Sequence, residues 1–571
     1  MINQEIASMF YEMADLLDIL GVEWKPLAFR KAARTLETYP EPIEEVVKKK
    51  GIKGVMELPG VGEGIGKKIV EYVETGKMKE YTELKKQIPR GVEEMLKVPG
   101  VGPKKVARLY KELKIDSLEK LEKFAQQGKI RDMNGFGEKS EEDILMGLAL
   151  VKKGTERRLM GVVLPYARSL VEEIKRIPGV SNVELAGSLR RKRETVKDMD
   201  MVVFTKTPEK VAKLLTKLGE VETVIKMGEK MTSVRFKNGL QSDMRLLAPE
   251  LYGSGLVHFT GSKEHGIALR TRALSMGMKF SEYGLVKGKK IVASRKEEDI
   301  YAGLGLPFIP PELRENTGEM EAAEKGKLPE LIPYGSIQGD LHVHTNWDHG
   351  AHTTEQMVQK AISLQYEYVS FSDHTKSDII ANGLDEKRMR AHWKEIDSLQ
   401  KKYPQINILK GAEVAILSDG KLDLSTSILK ELDVVGVSIH SGFKNEEKKM
   451  TQRIVKALEN EYVHFMGHPT GRLINQRNPY SFNLEKVLDA AKENGKAMEI
   501  NSYPSRMDFD PPHIRECLTR GIPLVINTDA HAMENMDFME LGIGQARRGW
   551  VEEKNVLNTA PWKRFQKIIH R

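Results

Sequence analysis

Seven apolar runs in the second half of the chain restrict the fold more than any other feature. They are GDLHVHT, YVSFSDHT, ILKGAEVAI, VVGVSIHS, HFMGHP, AMEINS and PLVINTDAH, all between residues 335 and 571. Each is followed by a loop or a helix-like stretch, such as TTEQMVQKAISLQ after the first. Strands alternating with helices predict a parallel (β/α) barrel of about seven strands, whose C-terminal strand ends meet at one mouth. His342, His344, His374, Glu413, His440, His468, Asp529 and His531 sit near those ends, so the barrel would gather them into one cluster. One buried histidine is usually a satisfied core residue, but six at the ends of five strands are not explained that way. Imidazoles mixed with carboxylates suit Mn2+, Zn2+ or Fe2+. So many ligands call for two or three ions, which activate water and clamp a phosphate. His352, His392, His464, His513 and His570 lack this placement and read as surface or packing residues.

The first half carries a different constellation in VELAGSLRRKRETVKDMDMVVF (183–204). The run up to Gly187 reads as a strand, with Ser188 as N-cap of a following helix. A Gly-Ser turn can approach a triphosphate, and Arg191 can neutralise it. Asp198 and Asp200 lie two apart on a strand, so both carboxylates share one face about 6–7 Å apart. They repel unless divalent cations sit between them. Asp243, in the strand-like LQSDMRLL, is a third acid. Three such acids can hold two Mg2+ or Mn2+ ions for nucleotidyl transfer.

Residues 1–150 contain a repeat: LPGVGEGIGKKI (58–69), VPGVGPKKVARLY (98–110) and a weaker MNGFGEKSEEDI (133–144). Gly60, Gly62, Gly100 and Gly102 allow a tight turn that leaves backbone N–H groups at a helix start, where a phosphate is favoured. Lys68 and Lys104 add charge, as do Lys67 and Lys105. The third copy lacks the proline and is acidic after its turn, which reads as structural. The pattern resembles the helix-hairpin-helix motif, which holds DNA backbones without reading bases.

The G-S-x-R-R, D-M-D and S-D-M-R segments, with HFTGSKEHG (258–266), resemble the nucleotidyltransferase core of family X DNA polymerases, the repair polymerases related to polymerase beta. The resemblance implies that Asp198, Asp200 and Asp243 ligate metal and that Asp243 accepts the primer hydroxyl proton. Gly187, Ser188 and Arg191 would hold the triphosphate, and Phe259, Gly261 and Ser262 would shape the sugar pocket. His258 stands where the family usually has tyrosine, and Gly266 where it often has asparagine. Lys68 falls near a lysine that some members use to form a Schiff base at abasic sites; a phosphate contact is the reading taken here. The second half resembles the PHP phosphoesterase domain through H-x-H, S-D-H, a lone Glu, S-I-H, G-H-P and D-A-H. After H-x-H that family reads S-D-G, whereas here Asp348-His349-Gly350 stands. His349 occupies the family's aspartate position, and either it or Asp348 completes the site.

The expected architecture is multidomain, α+β and α/β. It comprises a helical DNA-binding domain (1–90), a fingers-like helical domain (91–150) and a polymerase beta-like core (151–315). A linker (316–334) leads to a (β/α)7 PHP barrel (335–571). The +8 net charge gathers in the middle third, which suits a polyanionic partner. The single cysteine, Cys517, fits a reducing cytosol. No apolar run reaches the roughly 18 residues of a membrane span, and the N-terminus has no basic n-region of a secretory signal. The expectation is a cytoplasmic monomer that fills gaps in primed DNA from dNTPs. Its PHP domain would act as a 3′–5′ exonuclease, with abasic-site endonuclease action a further implication of the resemblance. Three competing readings are a PHP domain that is a small-molecule phosphatase or a structural module, a gap-binding scaffold without activity, and template-independent transfer to RNA ends.

Overall fold

The computed structural model describes residues 2–39, 42–58, 60–98, 101–133, 157–379, 381–475 and 477–569, with isolated positions between 136 and 148. Among the described residues, the first 150 positions hold helices and their connecting turns. Helix α1 (Ile2–Leu20) buries Ile6, Phe10, Met13 and Leu17, which recur at helical spacing. It packs on α2 (Lys25–Thr38), where Phe10 and Phe29 lie 5.3 Å apart, centre to centre. Both P-G-V-G turns end directly on helices, α3 (Glu63–Thr75) and α4 (Pro103–Leu113). The apolar residues of this region form one core, separate from those that follow.

The next unit is a five-stranded sheet in the order β1-β2-β5-β4-β3, with β1 (Val180–Leu185), β2 (Asp198–Thr205), β3 (Val221–Lys226), β4 (Met231–Phe236) and β5 (Gln241–Leu247). Only β2 and β5 run parallel, and their register places Asp200 opposite Asp243. The helix α5 (Gly187–Arg190) joins β1 towards β2. Residues 257–323 build a further small core around Leu269, Phe280, Ile300 and Tyr301.

The barrel has seven parallel strands in chain order. They are β6 (Gly339–Val343), β7 (Tyr368–Phe371), β8 (Asn407–Ala415), β9 (Val434–Ser438), β10 (Phe465–Met466), β11 (Ala497–Asn501) and β12 (Leu524–Asn527). They read as unbroken apolar runs because parallel strands under helices are buried on both faces. A bridge between Val343 and Ala530 closes the circle, helped by Leu341 N–H donating to Asn527 Oδ1 at 3.1 Å.

The barrel packs hard on the five-stranded unit. Met507 and Leu541 belong to the core of that unit. Glu194 accepts from Arg472 at 2.6 Å and from Gln545 at 2.7 Å, and Lys192 pairs with Glu540 at 2.7 Å. A Cβ on Gly161 would lie 2.6 Å from Pro504, so the two surfaces meet without a gap there.

Candidate functional site

The acidic cluster follows from strand register. Asp198 and Asp200 point from one face of β2, and Asp243 lies alongside on β5. Burial pushes Asp200 up to about 7, with Asp198 and Asp243 adding to the shift. Burial and Asp243 also raise Asp198. The cluster therefore stores repulsion that a divalent cation relieves. Asp243 Oδ1 accepts from Ser233 Oγ at 2.6 Å and from Gln241 Nε2 at 3.0 Å, which fixes its carboxylate.

Gly187 has φ 54°, and a Cβ there would lie 2.0 Å from Asp200 Oδ2. Only glycine lets the turn pass this close to the acids. Gly187→Ala should destabilise the chain by about 1–3 kcal/mol, as urea denaturation would measure. Ser188 is the second residue of α5, not its N-cap. That position belongs to Ala186, and no side chain caps the helix, because the turn into α5 begins one residue before the glycine. Arg191 donates to Glu315 Oε1 at 2.9 Å and to Thr260 O at 2.7 Å, so its guanidinium is already paired at rest. Phe259 lies 5.1 Å from the Arg245 guanidinium. A Cβ on Gly261 would lie 2.9 Å from the His265 ring. Ser262 caps the helix Lys263–Ser275, accepting from His265 N–H at 3.0 Å.

In the helical region Gly60 has φ 82°, and Gly62 and Gly102 are the N-cap residues of α3 and α4, neither with a side-chain cap. Gly62, Gly102 and Lys104 are exposed, which leaves helix N-termini open to an anion. Gly100 lies outside the described residues. Lys68 lies 2.7 Å from Glu80 and donates to Gly64 O at 2.9 Å, so it is held by its own domain. In the third copy, buried Glu141 accepts from the N–H groups of Ile130 and Arg131 and pairs with the Arg131 side chain, a structural role.

At the barrel mouth the histidines converge on two carboxylates. Glu413 lies at the centre, 2.9 Å from His374 Nδ1, 3.0 Å from His440 Nε2, 2.7 Å from His468 Nε2 and 3.6 Å from His342 Nε2. Asp529 Oδ1 lies 3.7 Å from His342 Nε2 and 3.4 Å from His344 Nε2. His531 stacks on His344 at 4.1 Å, with His349 4.4 Å away. Overlapping triads of ligand atoms within 4.8 Å of one another include His342, Glu413, His468; His342, His344, Asp529; and His344, His374, His531. Nε2 of His342 and of His344 is buried without a hydrogen-bond partner, as suits lone pairs kept for an ion.

The electrostatics agree. Burial alone would lower His342, but Glu499, Asp529 and Glu413 hold it well above its usual value. Burial likewise opposes protonation of His344, yet Asp348 raises it to about 10. Burial disfavours the charged form of Glu413, and the surrounding histidines overcome this and hold it ionised. The site demands positive charge, which metal ions supply in place of protons.

Asp348 and His349 separate in role. Asp348 is buried and accepts from His344 Nδ1 at 2.7 Å and from His374 N–H at 3.1 Å. His349 is more exposed and leans over His374, 5.2 Å between rings. Sequence reasoning missed Glu499, whose Oε1 lies 2.8 Å from His342 Nδ1. Its one signal was an acid inside the apolar run AMEINS. His392 is buried against Trp347, and His464 hydrogen-bonds Ile569 O at 3.0 Å, both packing roles. His352 accepts from Met533 N–H at 3.2 Å, and His513 pairs with Asp510 at 2.5 Å. His570 lies outside the described residues.

Comparison with known proteins adds four matches to described families. A helix-hairpin-helix domain matches residues 1–78, and a SAM-like helix-hairpin-helix tandem matches 92–149. A DNA polymerase beta thumb matches 255–315, and a PHP domain matches 340–503. The DNA polymerase/3′-5′ exonuclease PolX of Bacillus subtilis (strain 168) is 38% identical, covering 100% of this chain and 99% of its own. DNA polymerase lambda of Arabidopsis thaliana is 25% identical over 55% of this chain and 62% of its own. A probable phosphatase of Thermoanaerobacter sp. (strain X514) is 29% identical over 38% of this chain and 89% of its own. With thumb, hairpin and barrel elements all matched and one relative aligned along the full length, the chain belongs to the family X DNA polymerases that carry a C-terminal PHP domain.

Proposed function

We propose that this chain fills short gaps in DNA during repair and trims 3′ ends with a separate metal centre. The observation that carries the reading is the coexistence of two clusters of unlike chemistry: three crowded aspartates on one sheet and a histidine-lined barrel mouth. Mg2+ or Mn2+ suits the all-oxygen first site, and two or three ions among Mn2+, Zn2+ and Fe2+ suit the second. When bound, these ions stabilise charge on the reacting phosphate and lower the cost of making a nucleophile.

The protein's share is orientation. Asp198 and Asp200 hold the ions, and Asp243, with one oxygen fixed by Ser233 and Gln241, keeps the other for the proton of the primer 3′-hydroxyl. Gly187 and Ser188 bring backbone close to the triphosphate, and Arg191 exchanges Glu315 for it. Phe259, Gly261 and Ser262 set the turn beside the sugar. The N-termini of α3 and α4 grip the DNA backbone on either side of the gap. In the barrel, His342, His344, His374, Glu413, His440, His468, Asp529 and His531 hold the ions, with His349 as the further ligand. Glu499 and Asp348 fix the ring tautomers of His342 and His344. The proposed setting is the cytoplasm; among the described residues no helix is long and apolar enough to cross a membrane.

The test is a 5′-labelled primer in a one-nucleotide gap with Mn2+, with and without dNTPs. Lengthening with dNTPs and shortening without them, both abolished by EDTA, is the expected result. DNA binding with no change in primer length under any metal would overturn the reading. The similarity of the barrel to a probable phosphatase favours a second substrate class, small phosphate monoesters. Release of phosphate from p-nitrophenyl phosphate, with the primer left intact, would select it.

The raised Asp200 gives a pH prediction. Its folded value of about 7 exceeds the ordinary 3.8, so the metal-free chain should lose stability as pH rises from about 4 through about 7. Mg2+ must displace that proton. The Mg2+ concentration for half-maximal nucleotide addition should rise about fivefold between pH 7 and pH 6 and change little between pH 8 and pH 9.

A further inference from the structure

Two ligand histidines are built on one plan, and a third repeats it with a residue not yet accounted for. His342 turns Nε2 inward to Glu413 and Asp529 and gives Nδ1 to Glu499 at 2.8 Å. His344 turns Nε2 to the same two carboxylates and gives Nδ1 to Asp348 at 2.7 Å. His440 presents Nε2 to Glu413 Oε1 at 3.0 Å, and its Nδ1 faces Asp378 Oδ2 at 3.4 Å. That Nδ1 is a buried atom with no hydrogen-bond partner, a state that a modest closure onto the carboxylate would relieve.

The loop after β7 holds Asp378 in place. Asp378 N–H donates to Thr375 O at 2.9 Å, and Asp378 O accepts from Gly383 N–H at 3.0 Å. Gly383 permits the loop to close, since a Cβ there would lie 2.0 Å from Thr375 O. Asp378 Oδ1 is spent on the loop, accepting from Ala381 N–H at 3.3 Å. Oδ2 is left to face the centre, where it also lies 3.8 Å from His374 Nδ1. The side chain is only 18% exposed, so its charge is poorly screened by water.

We propose that Asp378 is a positioning residue of the barrel's metal centre. It accepts the Nδ1 proton of His440 and so fixes the tautomer whose Nε2 lone pair faces inward. This raises the affinity of the position formed by His374, Glu413 and His440. The inference rests on the reading of those three residues as metal ligands. Partners of this kind are worth about 10–100-fold in metal affinity.

The test is calorimetric titration of Mn2+ into the metal-stripped full-length protein, without DNA, for the wild type, Asp378→Asn and Asp378→Ala. Thermal melting of the metal-free proteins runs alongside. Asparagine keeps the oxygen that serves Ala381 and removes the charge. One class of Mn2+ should weaken about 10–100-fold in both variants, with the other class unchanged and the metal-free Tm of Asp378→Asn within a degree or so of wild type. Isotherms that superimpose on the wild type would overturn the proposal. So would weakening of every class together with a lower metal-free Tm, which would mark Asp378 as a loop cap only. A wild-type protein that binds no Mn2+ at the barrel would instead overturn the metal-centre reading itself.

Discussion

Replacing Asp200 with asparagine lowers the single-turnover rate of nucleotide addition by about a thousandfold and leaves Mn2+-dependent primer shortening within twofold of wild type. That is the expected result. The size follows from losing several kcal/mol of transition-state charge stabilisation when one ligand of the proposed two-ion site is removed. Asparagine has the same shape, so the change reports charge rather than packing. A second readout moves the other way. Asp200 is buried beside Asp198 and Asp243, which together disfavour its charge. Removing its charge should therefore raise the metal-free Tm at pH 8 by a few degrees. A variant that is inactive and also less stable would point to collapse of the turn at Gly187 instead. One that still extends primers at a tenth of the normal rate would remove Asp200 from the site.

Glu413→Gln is expected to be the converse. Primer shortening falls by about a thousandfold, and gap filling is retained. Glu413 lies within 4 Å of His342, His344, His374, His440 and His468 with its two oxygens, so its loss reaches five histidines of the cluster at once. Glutamine can satisfy one nitrogen but lacks the negative charge with which Glu413 would help to hold metal ions. Denaturing gels of the labelled primer with and without dNTPs read both activities from one reaction. Loss of both would indicate that the barrel is required for DNA binding and not only for cleavage.

The sequence was informative where the chemistry repeats. A parallel strand buried on both faces has few reasons to carry a histidine, so HVHT, SDHT, SIHS and TDAH announced the barrel mouth before any coordinates. DMD and SDM likewise placed three acids, because a two-residue spacing on a strand leaves little freedom. Less was visible where partners come from distant segments. Glu499 supports His342 from 157 residues away, and its one local mark is an acid inside the apolar run AMEINS. Asp348 and His349 could not be separated from the string DHG, since which of two neighbours turns inward depends on the loop that Asp348 itself ties to His374 N–H. Ser188 was misplaced as a cap because the helix begins two residues earlier than that, on Gly187 with its positive φ. The position of Arg191 after G-S did not show its resting partner, Glu315, which arrives 124 residues later.

The contact between barrel and sheet has a consequence for how this chain can be divided. Met507 and Leu541 fill the hydrophobic interior of the five-stranded unit, although they belong to the barrel's part of the sequence. A polymerase fragment ending before the barrel would expose the apolar seat of those two side chains. It would also leave Glu194 without Arg472 and Gln545. Exposed seats of this kind drive self-association, so the fragment should be harvested largely as aggregate while the intact chain stays in solution. For the same reason a lineage that shed the barrel would have to rebuild the back of the sheet with polar residues before it could live without it.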